Sequence, residues 1–141
     1  MKSHQKLQES KIVMTKGKRK RAIARAWFRP GKGVVKVNSV PLETMGNEMA
    51  RLKIQEPLII AGDGWKSYNI NITVKGGGLM GQAEAVRQVI SRGLATLLPE
   101  TKEKFMNYDR FMLVDDPRRT EPHTPPHSSW GPRRYKQRSK R

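Results

Sequence analysis

The stretch "NITVKGGGLMGQAEAVRQVI", residues 71 to 90, carries the pattern best suited to nucleotide chemistry. Gly76, Gly78 and Gly81 satisfy G-x-G-x-x-G, and Gly76 and Gly81 also stand at the spacing of a phosphate-binding P-loop. A P-loop needs a Lys to reach the terminal phosphates and a Ser or Thr to hold magnesium, and here Gln82 and Ala83 occupy those places. A dinucleotide site needs a second mononucleotide-binding half. Glu100 lies where a ribose-binding acid would, but only 60 residues follow Gly81, and the last 25 form a Pro-rich basic tail. The loop therefore reduces to a strand-to-helix turn. Its free N–H groups can seat an anion at the helix N-terminus, or its glycines can let the two backbones pack closely, and the two readings are compatible.

Other groups able to do chemistry are few. His123 and His127 in "HTPPH" have the spacing of half a zinc site, but the chain has no Cys and no nearby second pair of ligands. Asp109, Asp115 and Asp116 could be acid-base carboxylates; capping and salt bridging to Arg118 or Arg119 explain them with less. The three His residues all lie near the ends of the chain, so no Ser-His-Asp set is recognisable. The reading is a protein that is not an enzyme, with no cofactor, no metal and no small-molecule substrate.

Cations are where the sequence is emphatic. "GKRKRAIARAWFR" sets Lys18, Arg19, Lys20 and Arg21 in a row, followed by Arg25 and Arg29. The tail mixes Trp130 and Tyr135 with Arg133, Arg134, Lys136, Arg138, Lys140 and Arg141. Net charge is +17, of which residues 1 to 32 carry +10 and residues 117 to 141 carry +7, while the middle is neutral. Merely solvated ends would leave the missing acids unexplained; such segments repel themselves and call for a polyanion. Neither end has an amphipathic helix with a bulky apolar face, which favours nucleic acid over an anionic membrane. Guanidinium and aromatic planes together suit irregular or single-stranded RNA, whose bases are accessible. The absence of Cys fits a reducing cytoplasm, and no apolar run is long enough for a signal peptide or a bilayer span.

These residues need a frame. Residues 1 to 16 are expected as an N-terminal arm, 17 to 116 as an RNA-binding α+β globular domain, and 117 to 141 as an extended basic tail, five prolines and no apolar period denying it a core. Residues 23 to 29 and 34 to 37 look like a hairpin around "PGKG". A short helix is expected over residues 43 to 52, with another turn after Pro57. Tyr68, Ile70, Ile72 and Val74 alternate with polar residues and predict a strand. Leu79, Ala83, Val86, Ile90, Leu94 and Leu97 predict a helix over residues 80 to 98, stopped by Pro99, with Arg87 and Arg92 off its apolar stripe and their heads free to meet a partner. A short helix around residues 103 to 106 and a strand over 111 to 114 follow. The count is about four strands in a single sheet, packed on one helical layer.

Four motifs in order, "GKRKRAIARAWFRPGKGVVKVN", "VKGGGLMGQAEAVRQVISRGL", "DDPRRTEP" and the closing "SKR", resemble the universal small-subunit ribosomal protein nine family. "RRTEPH" and "GPRR" look more like its archaeal-type members. The resemblance implies a βαβ core with a long C-terminal extension, placed in the head of the small ribosomal subunit in the cytoplasm. It implies small-subunit rRNA and neighbouring ribosomal proteins of the head as partners, and the anticodon stem-loop of peptidyl-site tRNA at the tail's end. Carried across by position, Lys140 and Arg141 would face tRNA, with Arg138 and Ser139 beside them. Gly131, Arg133, Arg134, Tyr135 and Lys136 would line rRNA. So would Lys18, Arg19, Lys20, Arg21, Arg25, Arg29, Lys75, Gly76, Gly77, Gly78, Gln82, Arg87, Arg92, Arg118 and Arg119. Val89 departs from the family, which usually has a small residue there on the long helix. Composition alone equally allows an extra-ribosomal nucleic-acid chaperone or chromatin-like binder.

Overall fold

In the computed structural model, which describes residues 12 to 119, the period-two stretches become strands of a single sheet. There are five: β1 (Val13–Arg19), β2 (Ala22–Pro30), β3 (Val35–Val37), β4 (Val40–Pro41) and β5 (Tyr68–Lys75). Their order is β1-β2-β5-β3-β4. The helices are α1 (Glu48–Ala61), α2 (Leu79–Leu97) and α3 (Thr101–Tyr108). This is the expected α+β class, one sheet covered by helices on one side. Its parallel pair is β3 with β5, joined through β4 and α1 as a βαβ unit.

Two expected pairings are corrected. Residues 34 to 37 do not return along β2 as a hairpin, because β5 takes the place beside β2 and β3 lies beyond it. The "PGKG" loop is carried past the end of β5: Asn69 Oδ1 accepts from the N–H groups of Lys32 (3.0 Å) and Val34 (3.2 Å), and Gly31 N–H donates to Ser67 O. The hairpin partner of β2 is β1, with Thr15 opposite Ala26. Nor is there a strand over residues 111 to 114. Asp109 accepts from Phe111 N–H and starts a 3-10 turn (Arg110–Met112) that buries Met112 completely.

The helices differ in extent. Residues 42 to 44 form only a 3-10 turn, and α1 starts later, where the Asn47 side chain accepts from Ala50 N–H. It runs straight through Pro57, which is buried inside it rather than opening a second turn. In α2 the middle of the expected stripe is dry, with Ala83, Val86, Ile90 and Leu94 at most 2% exposed, while at its ends Leu79 is exposed and Leu97 only partly buried. Sheet and helix meet by exchanging large for small. Gly93 on α2 leaves its place to the fully buried Phe28 ring, and Gly17 on β1 makes room for Val89. The departure at Val89 is thus absorbed on the strand side of the contact. Among the described residues, no helix is long and apolar enough to cross a membrane.

Candidate nucleic-acid interface

The β1–β2 turn meets the glycine loop at Arg21 and Ala22 and residues 116 to 118 at Arg19. Lys20 makes the turn with φ of 52°, and Gly76 and Gly77 take φ of 78° and 67°. A Cβ on Gly76 would lie 2.5 Å from Arg21 O, so the loop does pack tightly on the turn. The anion-seat reading survives beside it. Helix α2 begins after Gly78 with no side-chain cap and no acidic residue in its first turn, and Gly78 has open space around it. Gln82 takes the other course: its Nε2 donates to Gly76 O at 3.1 Å, so it braces the loop.

Within the run from Lys18 to Arg21, one member is committed internally. Arg19 pairs with Glu84 at 2.7 Å and Asp116 at 3.3 Å, donates to Arg118 O, and is only 14% exposed in its side chain. Asp116 is also gripped by Arg118 at 2.5 Å, and the Arg118 guanidinium lies 5.3 Å from the Phe111 ring centre. Hydrogen bonds from the Arg118 side chain, ahead of its backbone N–H and the charge of Arg19, hold the Asp116 carboxyl down at about 2. A depressed carboxyl stabilises the fold fully above its unfolded value, 3.8, and loses that contribution as pH falls through about 2. Asp116 should accordingly titrate near 2 by carboxyl-carbon NMR, and Arg118→Gln should move it back up toward the ordinary range. A midpoint unchanged by that substitution would refute the clamp. Its effect is to fix residues 116 to 118 against the end of β1.

Arg87 and Arg92 are a correction. Their heads are not free. The sequence shows one apolar stripe on α2, but residues 109 to 118 cover a second side, leaving Arg87, Gln88 and Ser91 buried as well. Arg87 is 7% exposed and bridges Glu56 at 2.7 Å and Asp109 at 2.9 Å. Burial opposes its charge, but the hydrogen bonds to the two carboxylates outweigh this and its pKa is raised. Arg92 donates to Lys16 O at 2.6 Å and Leu113 O at 2.9 Å and pairs with Asp115. Asp109, Asp115 and Asp116 are thus the internal partners of arginines.

The side of the sheet that the described residues leave uncovered holds Arg25, Arg29 and Lys75, which the sequence reading named, together with Lys16, Trp27 and Lys36, which it missed. Strand register sets Lys16 opposite Arg25, and Met14, Trp27, Asn71 and Lys36 in one row across four strands. Arg29 and Lys75 share this face. Among the described residues it carries no acid, and none of Lys16, Arg25, Arg29, Lys36 and Lys75 is ion-paired. The signal was present in β2, where Ala24, Ala26 and Phe28 alternate with Arg25, Trp27 and Arg29. Lys18, Lys20, Arg21 and Arg119 are exposed too. The expected sites Gly131, Arg133, Arg134, Tyr135, Lys136, Arg138, Ser139, Lys140 and Arg141 lie outside the described residues.

A family model described as ribosomal protein S9/S16 matches residues 17 to 141. A small ribosomal subunit protein uS9 of Methanococcus maripaludis (strain C7) is 45% identical over 133 residues, spanning 93% of this chain and 99% of that relative. Its counterpart of the same name in Aeropyrum pernix is 49% identical over 130 residues, spanning 79% of this chain and 86% of its own.

Proposed function

The chain belongs to the ribosomal protein S9/S16 family, and from that premise we propose that it binds small-subunit rRNA in the head of the subunit and reaches peptidyl-site tRNA with its tail. The observation that carries the proposal is that the family match spans the basic turn and runs on through Arg141, taking in the cations that the neutral core does not balance. The role is structural: the domain positions the cations, and rRNA supplies the opposing charge. Its archaeal relatives, both named as small-subunit proteins, favour a ribosomal place over an extra-ribosomal chaperone. Co-sedimentation with small subunits after a high-salt wash separates those two.

Within the proposal, labour is divided. Lys18, Lys20, Arg21 and Lys75, with the glycine loop, are exposed at one end of the sheet and suit rRNA phosphates, whereas Lys140 and Arg141 are assigned to tRNA. Chains lacking residues 139 to 141 are expected to enter small subunits in normal yield and to hold peptidyl-site tRNA at least tenfold more weakly, since even one lost charge-assisted hydrogen bond, worth about 1.5–3 kcal/mol, gives that factor. Failed assembly with unchanged tRNA affinity would overturn that division.

A further inference from the structure

We propose that the uncovered face of the sheet binds single-stranded RNA, with an unpaired base stacked on Trp27 and the strand's phosphates held by Lys16, Arg25, Arg29 and Lys36. The inference rests on the ribosomal reading and adds to it a surface, a mode of contact and three residues, Lys16, Trp27 and Lys36, that the sequence reading did not assign to RNA.

Trp27 stands on β2, one strand in from the edge, with Arg25 and Arg29 two residues away on either side, about 7 Å each way along the strand. Lys16 on β1 and Lys36 on β3 bring cations from the strands that flank the β2–β5 pair. A large indole left only half-buried on an open sheet offers a stacking plane, and Ile23, Arg25, Trp27, Thr73 and Lys75 enclose a hollow of about 260 Å³ beside it. That is below the usual range for a small-molecule pocket, and suits one planar group rather than a cofactor.

Lys16 lies directly opposite Arg25, an arrangement that costs a sheet stability unless an anion lies between the two heads. No acid on this face offsets it among the described residues. An acid-free cationic face selects a polyanion over an ordinary protein surface. The tryptophan then selects an unpaired strand over a duplex, since bases inside an A-form helix cannot reach a flat sheet.

The test uses the full chain and a full-length small-subunit rRNA transcript. Trp27→Ala is expected to weaken binding roughly tenfold, the scale of one lost base–aromatic stack, whereas Trp27→Phe stays within about threefold of wild type. Ultraviolet crosslinking of the wild-type complex, followed by mass spectrometry, should find a nucleotide on Trp27, a readout that stands even if Trp27→Ala fails to fold. Wild-type affinity for both variants with no adduct at Trp27 would overturn the proposal while leaving rRNA binding intact. A crosslink from Trp27 to a neighbouring protein in assembled subunits would overturn it too. Complete lack of wild-type binding to the transcript would instead sink the ribosomal reading beneath it.

Discussion

Affinity of the full chain for small-subunit rRNA is expected to fall roughly 300- to 1,000-fold as monovalent salt rises from 50 to 200 mM, because about six phosphate contacts give a log-log slope near −4 to −5. The structure says which cations can supply them. Lys18, Lys20, Arg21, Arg25, Arg29, Lys75 and Arg119 are exposed and unpaired among the described residues, as are Lys16 and Lys36. Arg19, Arg87 and Arg92 are not in that set, each being occupied by carboxylates of the same chain. About six cations of the chain meet a phosphate on this account, so a Gln substitution in the exposed set should make the slope shallower by about 0.7 to 0.9 where the residue is one of them, the same substitution at Arg92 should leave it unchanged, and filter binding across a salt series measures both. A slope near zero for the wild type would remove the electrostatic basis of the proposed function.

What the sequence could and could not disclose follows from how many sides each element buries. Strand β5 and helix α2 each have a dominant apolar stripe, so a single period sufficed to place them at nearly their observed limits. Strand β1 is an edge strand with lysines at positions 16 and 18 on its open side and Thr15, Gly17 and Arg19 toward the helix, so it shows no apolar alternation to detect. It is anchored instead by distant groups: Thr15 Oγ1 donates to Val89 O at 2.9 Å and Lys18 N–H to Gln88 Oε1 at 2.8 Å.

The same logic explains the site. A row of charges in sequence does not say which heads are spoken for. Arg19 sits between Lys18 and Lys20, yet strand alternation turns it to the helix side, where Glu84 and Asp116 await it. Conversely, Lys36 stands in no basic cluster and Lys16 is set off from the Lys18 to Arg21 run by Gly17, and both come beside the β2 arginines only because β1 and β3 lie in the same sheet. The glycine loop was legible as a turn without catalytic residues. Its contact with Arg21 O depends on β2 lying beside β5, a pairing that the expected hairpin had assigned elsewhere.

Arg87 provides the sharpest separation between a cation that binds and a cation that holds the fold. Arg87→Leu is expected to cost about 3 kcal/mol in denaturant unfolding, roughly 150-fold in the folded-to-unfolded ratio, at the low end for a broken buried ion pair. The low end applies because Glu56 and Asp109 keep 28% and 32% of their side-chain exposure and can recover some water. Removing the charge leaves two carboxylates facing the space it occupied, so adding Glu56→Leu and Asp109→Asn should restore part of the loss; Asp109 also caps the 3-10 turn through Phe111 N–H, which limits the recovery. The rRNA salt slope of the folded single variant should match wild type, since no phosphate contact has been removed. Wild-type stability together with a slope shallower by about one would show the reverse: a guanidinium that leaves its carboxylates for RNA, and an α2 surface that opens on binding.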